Sequence, residues 1–182
     1  MNISRTESSC PPMGDEEWPV EIAEMKAGFA GSLNVYRTMA HHPALLKAWG
    51  PLRQHIVKDS ALGPVRSELV ILRAAHRMGS AYEWAHHVSR ARALGISDGR
   101  IREMGNAPIG EDGLIACAVD ALFDNARLSS EIEQAISSSM GTQAVLDLIA
   151  TVGFYSVLGY ILMTFDTPID EHIADEMAKR PI

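Results

Sequence analysis

Glu68-Leu-Val-Ile-Leu-Arg-Ala-Ala-His76 and, after Gly79, Ser80-Ala-Tyr-Glu-Trp-Ala-His-His87 decide how this chain is read. Apolar residues run through both stretches without strand-like alternation, and a glycine separates them, so the pair reads as two helices folded back on each other. Into this apolar hairpin the sequence sets two glutamates, two adjacent histidines and a tryptophan. A buried polar group left without a partner costs about 1–3 kcal/mol, so groups buried here together have to satisfy one another. The hairpin is therefore the first place to look for chemistry.

Outward from the hairpin, Leu62-Gly63-Pro64 opens the first helix, which runs to Met78, and Ser80 is placed to cap a second helix to Leu94. Gly95 and Ser97 set off a short helix ending near Met104. Upstream, residues 1–14 read as a flexible tail, Asp15 to Lys26 as a short helix with acids in its first turn, and Leu33 to Ala40 as another. His41-His42-Pro43 marks a helix entrance for Leu45, Leu46, Trp49, Leu52 and Ile56, with a bend expected at Gly50-Pro51. Downstream, Leu114, Ile115, Ala118, Val119, Leu122 and Phe123 form an apolar stripe. Ser129 or Ser130 caps the next helix, and a long apolar segment opens at Thr142 and reaches Met163. Pro168-Ile169-Asp170 then precedes a terminal helix. The expected fold is all-α, one domain over residues 15–182 with about eight to ten helices. Cys117 and His76 read as core residues.

Sixteen basic against twenty-three acidic residues give a net charge of -7, without a basic block. A nucleic-acid partner needs a dense cationic face, so that class is set aside. The segment Ala144 to Phe165 carries Asp147, two glycines and scattered hydroxyls, and reads as a buried or subunit-facing helix rather than a membrane span. The N-terminal stretch shows no apolar signal core, and Cys10 and Cys117 form no CxxC pair and no zinc-like cluster. A cytoplasmic, reduced setting is the expectation.

On the second helix Glu83, His86, His87 and Arg90 stand at offsets of 0, 3, 4 and 7, which line one broad face. Glu83 can touch either histidine, and an antiparallel return brings Glu68 near His87 and Arg90. A carboxylate beside an imidazole fixes its tautomer and raises its pKa, which suits a proton donor or acceptor near neutral pH. The plainer reading of the same spacing is a solvated ion-pair face, with Arg66 and Arg73 as ordinary partners of Glu68. Glu68, Glu83 and His87 could also hold a metal across the helices, although adjacent histidines diverge by about 100°. Phosphate-binding glycine loops, nucleophile elbows and dinucleotide fingerprints are absent, so no cofactor and no resident metal are expected.

Arg66-Ser-Glu-Leu-Val-Ile-Leu72, Tyr82-Glu-Trp-Ala-His-His87 and Ala93-Leu-Gly-Ile-Ser97 resemble the carboxymuconolactone decarboxylase family, within the alkylhydroperoxidase D-like superfamily. The resemblance spans roughly residues 45–125 and implies an alkylhydroperoxidase D-like helical domain that self-associates as a dimer, trimer or hexamer. In the family's peroxidase branch a glutamate is followed by a CxxC pair and a histidine; the same spacing here gives Glu68, Ser80, Glu83 and His87. Neither Ser80 nor Glu83 can form a sulfenic acid or mixed disulfide, so thiol-dependent peroxidase chemistry is not expected.

The decarboxylase branch resembles the chain better and implies cofactor-independent loss of carbon dioxide from a small carboxylated unsaturated lactone of aromatic-compound catabolism. On that resemblance His87 is the proton donor, Glu83 or Glu68 orients it, and His86 polarises the lactone oxygen. Arg73 or Arg90 holds the substrate carboxylate, while Tyr82 and Trp84 wall the pocket. A related lactone or carbonyl enzyme and a noncatalytic small-ligand-binding helical oligomer remain as alternatives.

Overall fold

Gly79 adopts φ 67° and ψ 26°, the left-handed conformation that ends a helix with least strain in glycine. There α4 (Gly63–Met78) turns back into α5 (Ala81–Ala93), and the Ser80 hydroxyl accepts the Glu83 backbone N–H as the cap of α5. The computed structural model describes residues 8–182, among which ten α-helices and no strand are found. The others are α1 (Ala23–Lys26), α2 (Asn34–Met39), α3 (Pro43–Gln54), α6 (Asp98–Glu103), α7 (Gly110–Asn125), α8 (Ser130–Met140), α9 (Thr142–Thr164) and α10 (Glu171–Lys179).

α4 is the central element and packs on α5, α7 and α9. It is buried on most of its circumference, so its two sides serve two separate clusters. Leu69 and Leu72 join Val88, Ile115, Val119 and Leu148 in the larger one. Ile71 faces the other way, toward Tyr36, Leu46, Trp49, Ile56, Phe154 and Leu158. Glu68 precedes Ile71 by one helical turn, and so enters the fold on the side of the second cluster.

α3 continues through Gly50-Pro51 and passes into a π-helical turn over His55–Asp59. Asp147 of α9 closes this region. Its carboxylate accepts from His55 Nε2 at 2.7 Å, from the Ser60 hydroxyl at 3.3 Å and from the Ala61 backbone N–H at 2.6 Å. The single acid in the first half of α9 thus fixes the end of α3 relative to the core.

α9 is long and apolar enough to cross a membrane by length and composition. One side, with Leu148, Phe154, Tyr155, Leu158 and Leu162, is core. The other exposes Leu146, Ile149, Val157, Tyr160 and Met163, which recur at spacings of three and eight residues and so share one side of the helix as a surface stripe.

Four expectations need correction or refinement. The helix read over Asp15 to Lys26 is two 3₁₀ turns, Asp15–Glu17 and Val20–Ile22, followed by α1, because Pro19 disfavours helical geometry at Trp18. Cys117 is exposed: Ile115, Ala118 and Val119 form the buried face of α7, and position 117 lies opposite them. His76 is exposed in the last turn of α4. Within the segment read as a tail, Met13 pairs with Arg37 through both backbone groups and Pro11 accepts from His41, whereas residues 1–7 lie outside the described residues.

Candidate functional site

The hairpin return sets Glu68 of α4 against two residues of α5. His87 Nδ1 donates to Glu68 Oε2 at 2.5 Å, and Arg90 Nε donates to Glu68 Oε1 at 3.1 Å. The other ring nitrogen of His87 faces Glu83 Oε2 at 3.4 Å, one helical turn earlier. Tyr155 of α9 meets the His87 ring edge-on, with centroids 4.9 Å apart and planes at 89°. Glu68, Glu83 and His87 are 5%, 4% and 3% exposed, which removes the reading of a solvated ion-pair face.

Burial favours the neutral imidazole of His87, but the charge of Glu68 and its hydrogen bond, then Glu83, outweigh it and push the pKa up to about 8. Burial likewise raises the Glu68 carboxyl, and His87 and Arg90 overcome it, holding that group below the ordinary carboxylate range. At neutral pH the pair is thus imidazolium and carboxylate. The phenol of Tyr155 is driven well above its usual value, first by burial, and stays protonated. Glu83 Oε1 is buried and has no hydrogen-bond partner among the described residues. Buried polar atoms without a partner are rare in native interiors, so this oxygen is a candidate point of contact for a donor entering the cavity.

A second network backs the first. Asp170, at the entrance to α10, accepts from the Tyr82 hydroxyl at 2.5 Å, from His86 Nε2 at 2.8 Å and from the Asn34 backbone N–H at 3.1 Å. The Tyr82 oxygen accepts the Val35 N–H at 3.2 Å, and His86 Nδ1 donates to the Tyr82 carbonyl at 2.9 Å. The Tyr82 and His86 rings stack 4.0 Å apart. Burial raises the Asp170 carboxyl, yet the donors, His86 first, hold it below its usual value. His86 therefore has no free nitrogen with which to polarise a ligand, and it serves to lock α2, α5 and α10 together.

Between these networks lies a cavity of about 310 Å³. Glu83, His87 and Arg90 line it from α5, Arg53 from α3, Tyr36 from α2 and Tyr155 from α9, with Val35, Val57 and Leu158 among its apolar walls. Tyr82 and His86 border it as well. Arg73 and Trp84 do not. Arg73 is committed to Asp120 at 2.9 and 2.6 Å and to the carbonyls of Met104 and Asn106, so it cannot hold a ligand here. Trp84 packs against the larger core on the opposite side of α5, near Gly105.

Glu68, Glu83 and His87 do converge, through the hydrogen bond of His87 to Glu68 and its 3.4 Å ion-pair contact with Glu83 rather than around a gap, and no group of three His, Cys, Asp or Glu among the described residues is arranged to hold a metal ion. Sequence reasoning missed Arg53, Tyr36, Tyr155 and Asp170, which come from distant helices. Tyr155 sits in an apolar run that signals only a core helix, and Arg53 lies beyond any motif.

Residues 43–107, the span from α3 through α6, match the model of the carboxymuconolactone decarboxylase family. The family that the hairpin motifs resemble is thus the one whose model this segment matches. The fold is shared with a cysteine-to-alanine variant of the debrominase Bmp8, solved in complex with 2,3,4-tribromopyrrole. The TM-score is 0.75, over 96% of this chain and 98% of that one, at 15% identity, which is a likeness of fold. No curated protein matches the chain.

Tyr82→Phe tests the second network. It removes one donor to Asp170 and leaves the buried Val35 N–H without its acceptor, so urea unfolding at pH 7 is expected to show a loss of about 1–3 kcal/mol. Asp170 has a folded pKa below its unfolded one, so its contribution is present above the unfolded value and disappears as pH falls through the folded one. The gap between Tyr82→Phe and the native chain should accordingly narrow in acid; an equal gap at both pH values would contradict this account of Asp170.

Proposed function

We propose, from the carboxymuconolactone decarboxylase segment and the buried pair it carries, that this protein decarboxylates a small carboxylated unsaturated lactone without a cofactor. The observation that carries the reading is His87, whose acid form Glu68 sustains at neutral pH on the wall of a cavity. Breaking the bond between ring carbon and carboxylate releases carbon dioxide and leaves an electron pair on carbon, delocalised onto the lactone carbonyl. His87 Nε2–H delivers a proton to that carbanion, and the neutral imidazole then recovers its proton from water. Glu68 remains ionised throughout, and Arg90 balances it while the ring loses its charge. Ser80 and Glu83 offer no thiol, so the reading invokes no disulfide chemistry.

A second reading, reversible binding of a small heterocycle, is favoured by Glu83 Oε1. That oxygen lacks a donor among the described residues, and the ligand of the Bmp8 variant is a pyrrole, a ring that carries an N–H. For the exposed stripe of α9, the proposed role is self-association through its apolar side chains. Tyr160→Lys should then shift the sedimenting species to lower mass, and an unchanged species would exclude the stripe.

Purified protein is expected to consume 4-carboxymuconolactone with matching release of carbon dioxide. His87→Gln should lower kcat/KM by about 10²–10⁴-fold while keeping the native circular dichroism spectrum. Because the acid form is the active one, the rate should hold below pH 8 and fall as pH rises through the folded pKa of about 8. No turnover by the folded native chain would remove the decarboxylase reading, and retained ligand binding by His87→Gln would then favour the binding protein.

A further inference from the structure

Arg53 stands apart from the other arginines. Every other partly buried arginine among the described residues is paired with a carboxylate: Arg37 with Asp15, Arg66 with Glu111, Arg73 with Asp120, Arg77 with Asp124, Arg90 with Glu68 and Arg92 with Asp98. Arg53 has no such partner there, although it lines the cavity. It is also held in place. Its guanidinium carbon lies 4.1 Å from the centroid of Phe29 and 5.5 Å from that of Tyr36, and its Nε donates to the Tyr36 hydroxyl at 3.2 Å. The Tyr36 phenol is no substitute for an anion, since burial pushes its pKa up to about 12 despite the guanidinium beside it.

A guanidinium clamped between aromatic rings, with Nε committed and both terminal nitrogens making no hydrogen bond among the described residues, presents a fork suited to a carboxylate. The cavity supports the same polarity. Arg53, Arg90 and His87 all line it, and Glu83 is the one carboxylate among the described lining residues. Arg53 reaches in from α3, whereas Glu83 with its unpartnered oxygen belongs to α5. The geometry points to Arg53 as the anion anchor of this cavity, selecting a small ring compound that offers a carboxylate to Arg53 and an O–H or N–H to Glu83. This deepens the decarboxylase reading and rests on it for the identity of the site, with the anchor now assigned to Arg53 where the sequence had offered Arg73 or Arg90.

The test uses 4-hydroxybenzoate and its uncharged methyl ester as probes, with binding to the full chain measured by calorimetry at pH 7 and low salt. The native protein should bind the carboxylate at least about tenfold tighter than the ester, as one charge-assisted bidentate contact supplies. Arg53→Gln should abolish that preference by weakening the acid alone, and Arg53→Lys should restore part of it, with circular dichroism showing both variants folded. His87→Gln should keep the preference. An acid-to-ester ratio in Arg53→Gln equal to the native one overturns the anchor, as does a native protein that binds neither probe at millimolar concentration or does not prefer the acid. Turnover of 4-carboxymuconolactone is followed in parallel. Its absence beside an intact Arg53-dependent preference removes the decarboxylase reading alone, and its presence with an unaltered ratio in Arg53→Gln removes the anchor alone.

Discussion

Glu68 and His87 meet in an almost fully enclosed place, and that pairing constrains everything around it. A carboxylate taken out of water incurs several kcal/mol of lost hydration, and mutual attraction recovers this only when both oxygens find donors. Glu68 meets the condition with His87 on one oxygen and Arg90 on the other. This arrangement requires α4 and α5 to return on each other in a single register, which the left-handed Gly79 and the Ser80 cap provide. The fold around the hairpin then acts as insulation: α9 brings Tyr155 against the ring, and the Asp170 network draws α10 and α2 over the far side.

The same enclosure explains the division of labour between two adjacent histidines. His86 and His87 point about 100° apart on α5, so one can turn toward α4 and the cavity while the other turns toward α10. His87 receives Glu68 on one nitrogen and presents the other to the cavity; His86 has both nitrogens occupied, by a carbonyl and a carboxylate. Position in the packing, rather than residue type, separates a candidate acid from a fastening. Around this pair Ser80 caps α5 and Glu83 is buried beside His87, so the hairpin's remaining polar side chains are bound into the same packing.

Local pattern carried the helical class, the turn at Gly79, the cap at Ser80 and the meeting of Glu68 with His87 and Arg90, because each follows from spacing within one hairpin. Spacing could not say which face of α5 is enclosed, and so Trp84 and Arg73 were read onto a cavity they do not touch. Nor could it reach Arg53, Tyr36, Tyr155 or Asp170, whose contributions exist only once α2, α3, α9 and α10 have packed. Cys117 shows the same limit in miniature: an apolar helix suggested a core thiol, and a rotation of two residues about the helix axis put it on the surface.

The account stands on His87 being an acid that Glu68 keeps protonated, and heteronuclear NMR titration of the His87 ring nitrogens addresses this directly. The account predicts a ring doubly protonated at neutral pH that titrates near pH 8, and in Glu68→Gln a ring whose pKa falls, since burial is then less strongly opposed. A His87 ring already neutral at pH 7 in the native protein, or one that titrates unchanged in a folded Glu68→Gln variant, would contradict it.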